Sequence, residues 1–352
     1  MKPVCFTVLF RVGILALLTQ SVAAQTPASV TLSDVYSLVA STTTDNKTGM
    51  NGFDQHRSIA MNANLGSPWA GTMYISRRAQ PTPSATAIVF YWKPTATNPS
   101  AAPGSGTLKP VGPDLTHPDG IFDNAVIKTA GFDPAAGNSF WGIGVGEDDY
   151  VYLTGLTAGK VVRCHPDGTN PVLVVASGFP RVRTIYVTGK GIDTRIWGIK
   201  DNVYPPATTT VERWKPTAVD GFGGPVSFIQ EILFAPAEAV NQMHQLVVDS
   251  AQTAVFFGQY LSGQPYTQVP PMKRSLTGVE DTLFTSGALS SGIIRASATG
   301  IDSEDRVVYF GMSQPNLDWG IAAVDPVTGA NLTTNTSSSG GFYFLSPSGV
   351  VS

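Results

Sequence analysis

Apolar positions along the chain gather into short, strand-length runs separated by turn residues, and the runs recur in ordered sets. Arg57–Met61, Thr72–Ser76 and Ala87–Trp92 make the first set, and Trp141–Val145, Tyr150–Thr154 and Val161–Cys164 the second. The pattern returns as Arg183–Val187 with Thr210–Trp214, as His244–Val248 with Ala254–Phe257, and as Arg295–Thr299 with Val307–Phe310 and Ala322–Val324. Runs of this length, rich in Val, Ile, Tyr and Phe and bounded by Gly, Pro, Asn and Asp, predict strands rather than helices. A unit of a few short strands cannot bury its own apolar face and must stack on the next.

The spacing of the units narrows the architecture. Their third runs end at Trp92, Cys164, Trp214, Arg274 and Val324, about 50 to 70 residues apart, against about 40 to 50 for a four-stranded propeller blade. Fourth strands are expected at Pro171–Val175, Pro225–Ile229 and Asp281–Phe284, and an insertion between Thr95 and Asn138 accounts for the longest interval. Trp-Lys-Pro-Thr-Ala occurs at 92–96 and again at 214–218, and Gly-Phe-Asp at 52–54 and 131–133, which supports common ancestry of the units. Gly341–Leu345 reads as a first strand, and Asp34–Ser41 resembles the fourth-strand stretch Asn170–Ser177. The expectation is an all-β fold, a single β-propeller of six four-stranded blades, with five or seven as alternatives. The N-terminal strand closes the ring and leaves no open sheet edge.

Composition removes several function classes. Charged residues are 13% of the chain and the net charge is −3, so there is no basic footprint for nucleic acid or for an anionic membrane. Lys2, the largely apolar stretch Val4–Leu18 and the small residues Val22-Ala23-Ala24 before Gln25 have the layout of a cleavable signal peptide. Residues 1–24 are therefore expected to be a leader and 25–352 a propeller domain exported to an extracellular or periplasmic space. An uncleaved anchor is the alternative for that leader; no later segment is long and apolar enough to span a bilayer. With Cys5 in the leader, Cys164 is the one cysteine of the mature chain and cannot form an internal disulfide. Within Val161–Cys164 it reads as a small buried hydrophobe, the alternative being a reactive thiol.

The segment Trp141–Val174, with Gly-Ile-Gly-Val-Gly-Glu-Asp-Asp-Tyr-Val-Tyr-Leu-Thr followed by Gly-Lys-Val-Val-Arg-Cys-His-Pro-Asp-Gly, resembles a repeat of the NHL and SMP-30/gluconolactonase-like propellers. The resemblance implies the architecture. It leaves activity open, because such propellers include lactonases, lyases and binding modules.

In propellers the first strand of each blade lines the central channel. Aligning the units puts Arg57, Trp141, Arg183, His244 and Arg295 at the start of these strands, a ring of cationic and aromatic groups suited to an anionic metabolite or carbohydrate. The plainer reading is that these side chains hydrogen-bond the backbone of neighbouring blades. The metal-dependent lactonases of the resembling family hold a divalent ion with carboxylate and amide oxygens. No such set enters the inner strands here, so neither a metal nor another cofactor is expected. By the same resemblance His244, flanked by Arg183 and Arg295, is the candidate base if the protein is a lyase. Glu147-Asp148-Asp149 and Ser303-Glu304-Asp305 read as solvated hairpin turns, and His117-Pro-Asp-Gly and His165-Pro-Asp-Gly as β-turns. The leading expectation is a binding or scaffolding module for an anionic small molecule, a carbohydrate or a protein partner. A propeller enzyme is the alternative.

Overall fold

The computed structural model describes residues 56–64, 66–77, 88–93, 119–135, 140–155, 159–200, 209–236, 245–258, 270–290, 293–301, 305–313, 319–330, 332 and 343–344. Five sheets follow one another along this chain, and four of them have four strands. The first comprises β1 (His56–Met61), β2 (Met73–Arg77), β3 (Ile88–Trp92) and β4 (Gly120–Ile121). The second comprises β5 (Gly142–Val145), β6 (Val151–Thr154), β7 (Val161–Cys164) and β8 (Val172–Val175). The third contains β9 (Tyr186–Thr188), β10 (Arg195–Ile199), β11 (Val211–Val219) and β12 (Pro225–Phe234). The fourth contains β13 (Leu246–Val248), β14 (Ala254–Phe257) and β15 (Met272–Ser275), and the fifth β16 (Ile293–Ile301), β17 (Val307–Ser313), β18 (Trp319–Val324) and β19 (Tyr343–Phe344).

Each sheet is an antiparallel meander in chain order, apart from the parallel pairing of β19 with β18. The first strands pack side by side: β1 against β5, β5 against β9, β9 against β13 and β13 against β16. This is the blade arrangement of a β-propeller, with the first strand of each sheet innermost.

Period-two alternation explains why the sheets stack. In the fourth sheet Val247 and Phe256 join a core with Val307, Tyr309 and Val324 of the fifth. Their neighbours Leu246, Val248, Val255 and Phe257 point the other way, into a core with Trp197, Ile199 and Val211 of the third. Similar layers lie between the first and second sheets, around Tyr74, Val89, Ile143 and Leu153, and between the second and third, around Tyr152, Val161, Ile196 and Trp214. Burying each such side chain is worth about 1.5–3 kcal/mol, and every inner blade contributes to two layers.

Three expectations need correction. Asp281–Phe284 is not a fourth strand. Two α-helices are described, α1 (Asn124–Thr129) and α2 (Thr282–Ser290), and the second occupies the place of that strand. Asp281 starts it: its Oδ1 accepts from the Phe284 N–H at 3.2 Å and its carbonyl from the Thr285 N–H at 3.1 Å. Phe284 and Ala288, one turn apart, bury the same face. Second, Tyr343–Phe344 does not begin a new blade, because it pairs with Gly320 and Ile321 of β18 as the outer strand of the fifth sheet. Third, the unit beginning at Arg183 has a middle strand, Arg195–Ile199, that the run-and-turn pattern skipped. The six-blade count is not established, and the closing segment Asp34–Ser41 lies outside the described residues.

Candidate ligand-binding mouth

The C-terminal ends of the inner strands converge on one cavity of about 540 Å³. Ala63 and Asn64 reach it from beyond β1, Val145 to Glu147 from β5, and Tyr186 to Thr188 with Lys190 from β9. Val248 to Ser250 and Gln252 come from β13, and Ile301 and Asp305 from the fifth sheet. Inner strands that all end at one cavity all run the same way, so this is the exit mouth of the ring.

Its walls are held by carboxylates that cross from sheet to sheet. Glu147 Oε1 accepts from the Gly189 N–H at 2.9 Å, while the Glu147 N–H donates to the Gly189 carbonyl at 3.0 Å. Asp148 Oδ2 accepts from the Gly191 N–H at 2.9 Å. Asp149 reaches back to the first sheet and accepts from Asn62 Nδ2, Asn64 Nδ2 and Ser67 Oγ at 2.9, 3.0 and 2.6 Å. Asp305 accepts from the Ser250 N–H and hydroxyl at 2.9 and 2.7 Å. Asp149, Gln252 and Asp305 each precede a second strand by two residues and each has positive φ (70°, 54° and 59°), a conformation that Asn and Asp adopt more readily than most residues.

Glu147, Asp249 and Asp305 face the cavity with Lys190 as the lining cation, so the mouth is electronegative. Tyr186 projects among them. Burial, followed by the charges of Asp305 and Glu147, pushes its phenol up to about 12, so it stays a neutral hydroxyl that can donate. Burial likewise raises the Asp148 carboxyl, against hydrogen bonds from the Gly191 backbone that favour the charged form. Among the described residues no three His, Cys, Asp or Glu side chains are grouped as a metal ion would require.

Two of the residues expected to ring the channel mark the opposite end. Trp141 and Arg183 precede β5 and β9, and the structure brings them together: the Arg183 guanidinium stands 5.7 Å from the Trp141 ring centroid. Arg57 and Arg295 lie in the inner strands β1 and β16, and His244 falls outside the described residues. Neither Trp141 nor Arg183 lines the exit cavity. His165-Pro-Asp-Gly forms a turn, closed by the Gly168 N–H on the His165 carbonyl at 2.9 Å with Gly168 at φ 84°. His117 lies outside the described residues. Cys164 is buried, and burial pushes its thiol up to about 12, so it is a core residue and not an activated nucleophile.

No family model matches the chain, and no curated protein does. Solved structures do resemble it. A gluconolactonase from Xanthomonas campestris is 12% identical with a TM-score of 0.45, covering 79% of this chain and 74% of its own. A chain of a nidogen/laminin complex is 10% identical with a TM-score of 0.41, covering 74% and 76%. One of these is named for an enzyme and the other for a protein complex, and likeness at this level assigns neither role here.

Proposed function

We propose that the protein is an exported binding module that takes a small, uncharged polyhydroxylated molecule, such as a sugar, in the exit mouth of its propeller. The observation that supports this reading is the cavity itself. Its volume suits a small ligand, and Tyr186, Lys190 and Gln252 line it with side chains that make no hydrogen bond among the described residues. A phenol, an ammonium and an amide supply donors and an acceptor for hydroxyl groups, and the Tyr186 ring supplies an apolar edge. The surrounding carboxylates oppose an anion at this end.

An anionic ligand is the second reading, at the entry end of the inner strands. The guanidinium of Arg183 beside Trp141 favours it, since a planar cation next to an indole suits a carboxylate on an apolar frame. Both readings are tested by thermal unfolding against neutral sugars, sugar acids, phosphates, calcium and magnesium. A ligand that binds only the folded state adds about 2.7 kcal/mol at a hundred times its Kd. The first reading expects a shift with a neutral sugar that Gln252→Ala and Lys190→Ala weaken and Arg183→Ala does not. A shift confined to acids and lost in Arg183→Ala moves the site to the other end. A shift with divalent ions alone, or turnover of a lactone, replaces the binding module with an enzyme.

A further inference from the structure

The third blade rises past the exit mouth. β10 begins at Arg195, paired with Thr188 of the cavity wall, and the register of β10 with β11 sets Lys215 level with Arg195. β11 and β12 nevertheless stay paired from Pro216 out to Val219, which at about 3.3 Å per residue carries the hairpin about 13 Å beyond the start of β10. In the loop between β9 and β10 the single 3-10 turn Gly191–Asp193 packs against β11. A β-carbon on Gly191 would stand 3.5 Å from the Gly223 carbonyl oxygen at the hairpin tip. Lys190, which lines the cavity, directly precedes Gly191, so the tip borders the mouth. The tip is also firmly mounted. The Asp220 N–H donates to the Gly224 carbonyl at 2.8 Å, and Asp220 Oδ1 accepts from the Phe222 and Gly224 N–H groups, both at 2.9 Å. Arg163 holds Asp220 Oδ2 and the Pro225 carbonyl from below, and a β-carbon on Gly224 would collide with its Nη1. What this mounting displays is apolar: Phe222 is 89% exposed, Val219 45%, and Ile192 on the adjoining turn 48%.

Single exposed apolar side chains are ordinary. Here three, from two segments in contact, adjoin a polar cavity. We propose that Ile192, Val219 and Phe222 form an apolar ledge that extends the mouth, and that the ligand is an amphiphilic glycoside, its sugar in the cavity and an alkyl chain laid along the ledge; this rests on the sugar reading of the cavity. The size and the charge of the surroundings select that occupant. Three side chains offer far less than the ~800 Å² per partner that a stable protein interface buries, so the ledge is too small for a second copy of the chain. Glu147, Asp249 and Asp305 at the mouth repel the phosphates of a bilayer surface. A hydrocarbon chain on a neutral sugar meets neither obstacle, and it gains from every methylene it buries. Two of the three ledge residues are branched aliphatics, which suit hydrocarbon better than a second sugar ring, whose stacking needs aromatic faces.

The test is calorimetric titration of the protein with n-alkyl glucosides, galactosides and mannosides from methyl to octyl, each below its micelle-forming concentration. In at least one series affinity is expected to rise with chain length, by up to about fourfold for each methylene that is buried. Phe222→Ser and Ile192→Ser, exposed positions at which the fold tolerates a polar residue, should flatten that rise. Methyl and octyl glycosides that bind alike overturn the ledge and leave the sugar reading of the cavity standing. A rise that persists unchanged in Phe222→Ser also overturns it. Octyl binding that Gln252→Ala does not weaken separates the ledge from the mouth and sinks the amphiphile. No binding by any member of any series removes the cavity reading together with the ledge. A dimer in sedimentation analysis that Phe222→Ser dissolves gives the surface to a second copy instead.

Discussion

Asp149 and Asp305 hold equivalent places in two different blades: each lies two residues before a second strand, at positive φ, and each carboxylate reaches back to the preceding sheet. Asp149 accepts three side-chain hydrogen bonds from the first sheet, and Asp305 takes the backbone N–H and hydroxyl of Ser250 in the fourth. These hairpin tips therefore act as latches between blades. Asp149→Ala should cost about 2–3 kcal/mol and Asp305→Ala, at an exposed contact, about 1 kcal/mol, by urea denaturation. Equal and negligible losses would mean that the tips only turn the chain.

Arg163 is 2% exposed and bonds Asp220 at 2.5 Å and the Pro225 carbonyl at 2.9 Å, with its guanidinium 4.3 Å from the centre of the Tyr150 ring. It joins the second sheet to the β11–β12 turn of the third. Arg163→Ala should lose about 3–5 kcal/mol, because it leaves carbonyl and carboxylate unpaired as well as opening a cavity. Asp220→Asn, which keeps an acceptor, should lose clearly less. A larger loss from Asp220→Asn would overturn this ordering.

Acid and neutral pH should act on different carboxyls. Burial raises Asp148, whereas at Asp167, Asp220, Asp281 and Asp325 burial is outweighed by hydrogen bonds that hold the carboxyl below its usual range. A depressed group loses its stabilisation as pH falls from about 4, its unfolded value, through its folded pKa. A raised group has the opposite sign: folding is penalised as pH rises from about 4 through the raised pKa. Urea midpoints should thus peak near pH 4 in the contribution of these five groups. Asp148→Asn should flatten the limb above the peak and spare the limb below it. A neutral-side limb unchanged in Asp148→Asn would assign it to other groups.

Helix α2 depends on two glycines. A β-carbon on Gly287 would collide with the Thr328 carbonyl oxygen, and one on Gly329, at φ 69°, with that of Phe284. Alanine at either position should cost about 2–4 kcal/mol, combining overpacking with the left-handed penalty at 329. Gly221, with nothing near its missing β-carbon, is the control and should tolerate alanine within about 0.5 kcal/mol. Melting midpoints of the three variants decide the matter.

Cys164, whose thiol burial holds at about 12, should resist thiol reagents in the native protein and react only as fast as the chain opens. Rapid stoichiometric labelling without denaturant would contradict its place in the core.

The blades were legible wherever a run of β-branched and aromatic residues had turn residues on both sides, as at Val161–Cys164 and Pro171–Val175. Thr-Leu-Phe at 282–284 misled because so short an apolar run fits strand and helix alike; the informative residue was Asp281, placed to cap. The exit mouth was harder to find. Attention to the starts of the inner strands selected Arg57, Trp141, Arg183, His244 and Arg295, of which Trp141 and Arg183 meet. The lining of the exit cavity comes from the strand ends. A signal was present: an acidic residue at the same offset before the second strand in two units, Asp149 and Asp305. Read within one hairpin it is turn chemistry, and only the stacking of sheets makes it a bond between blades.

The replacement of a fourth strand by α2 also bears on how copies of the protein meet. A sheet that ends in a strand presents a row of open backbone donors and acceptors to any passing chain. Among the described strands the ten-residue β12 stands at the edge of the third sheet, with Ile229 and Ile232 exposed along it. Where α2 packs against β15, the rim is a helix whose backbone is satisfied internally. If the protein aggregates through its rim, the fourth blade is the one that will not nucleate it.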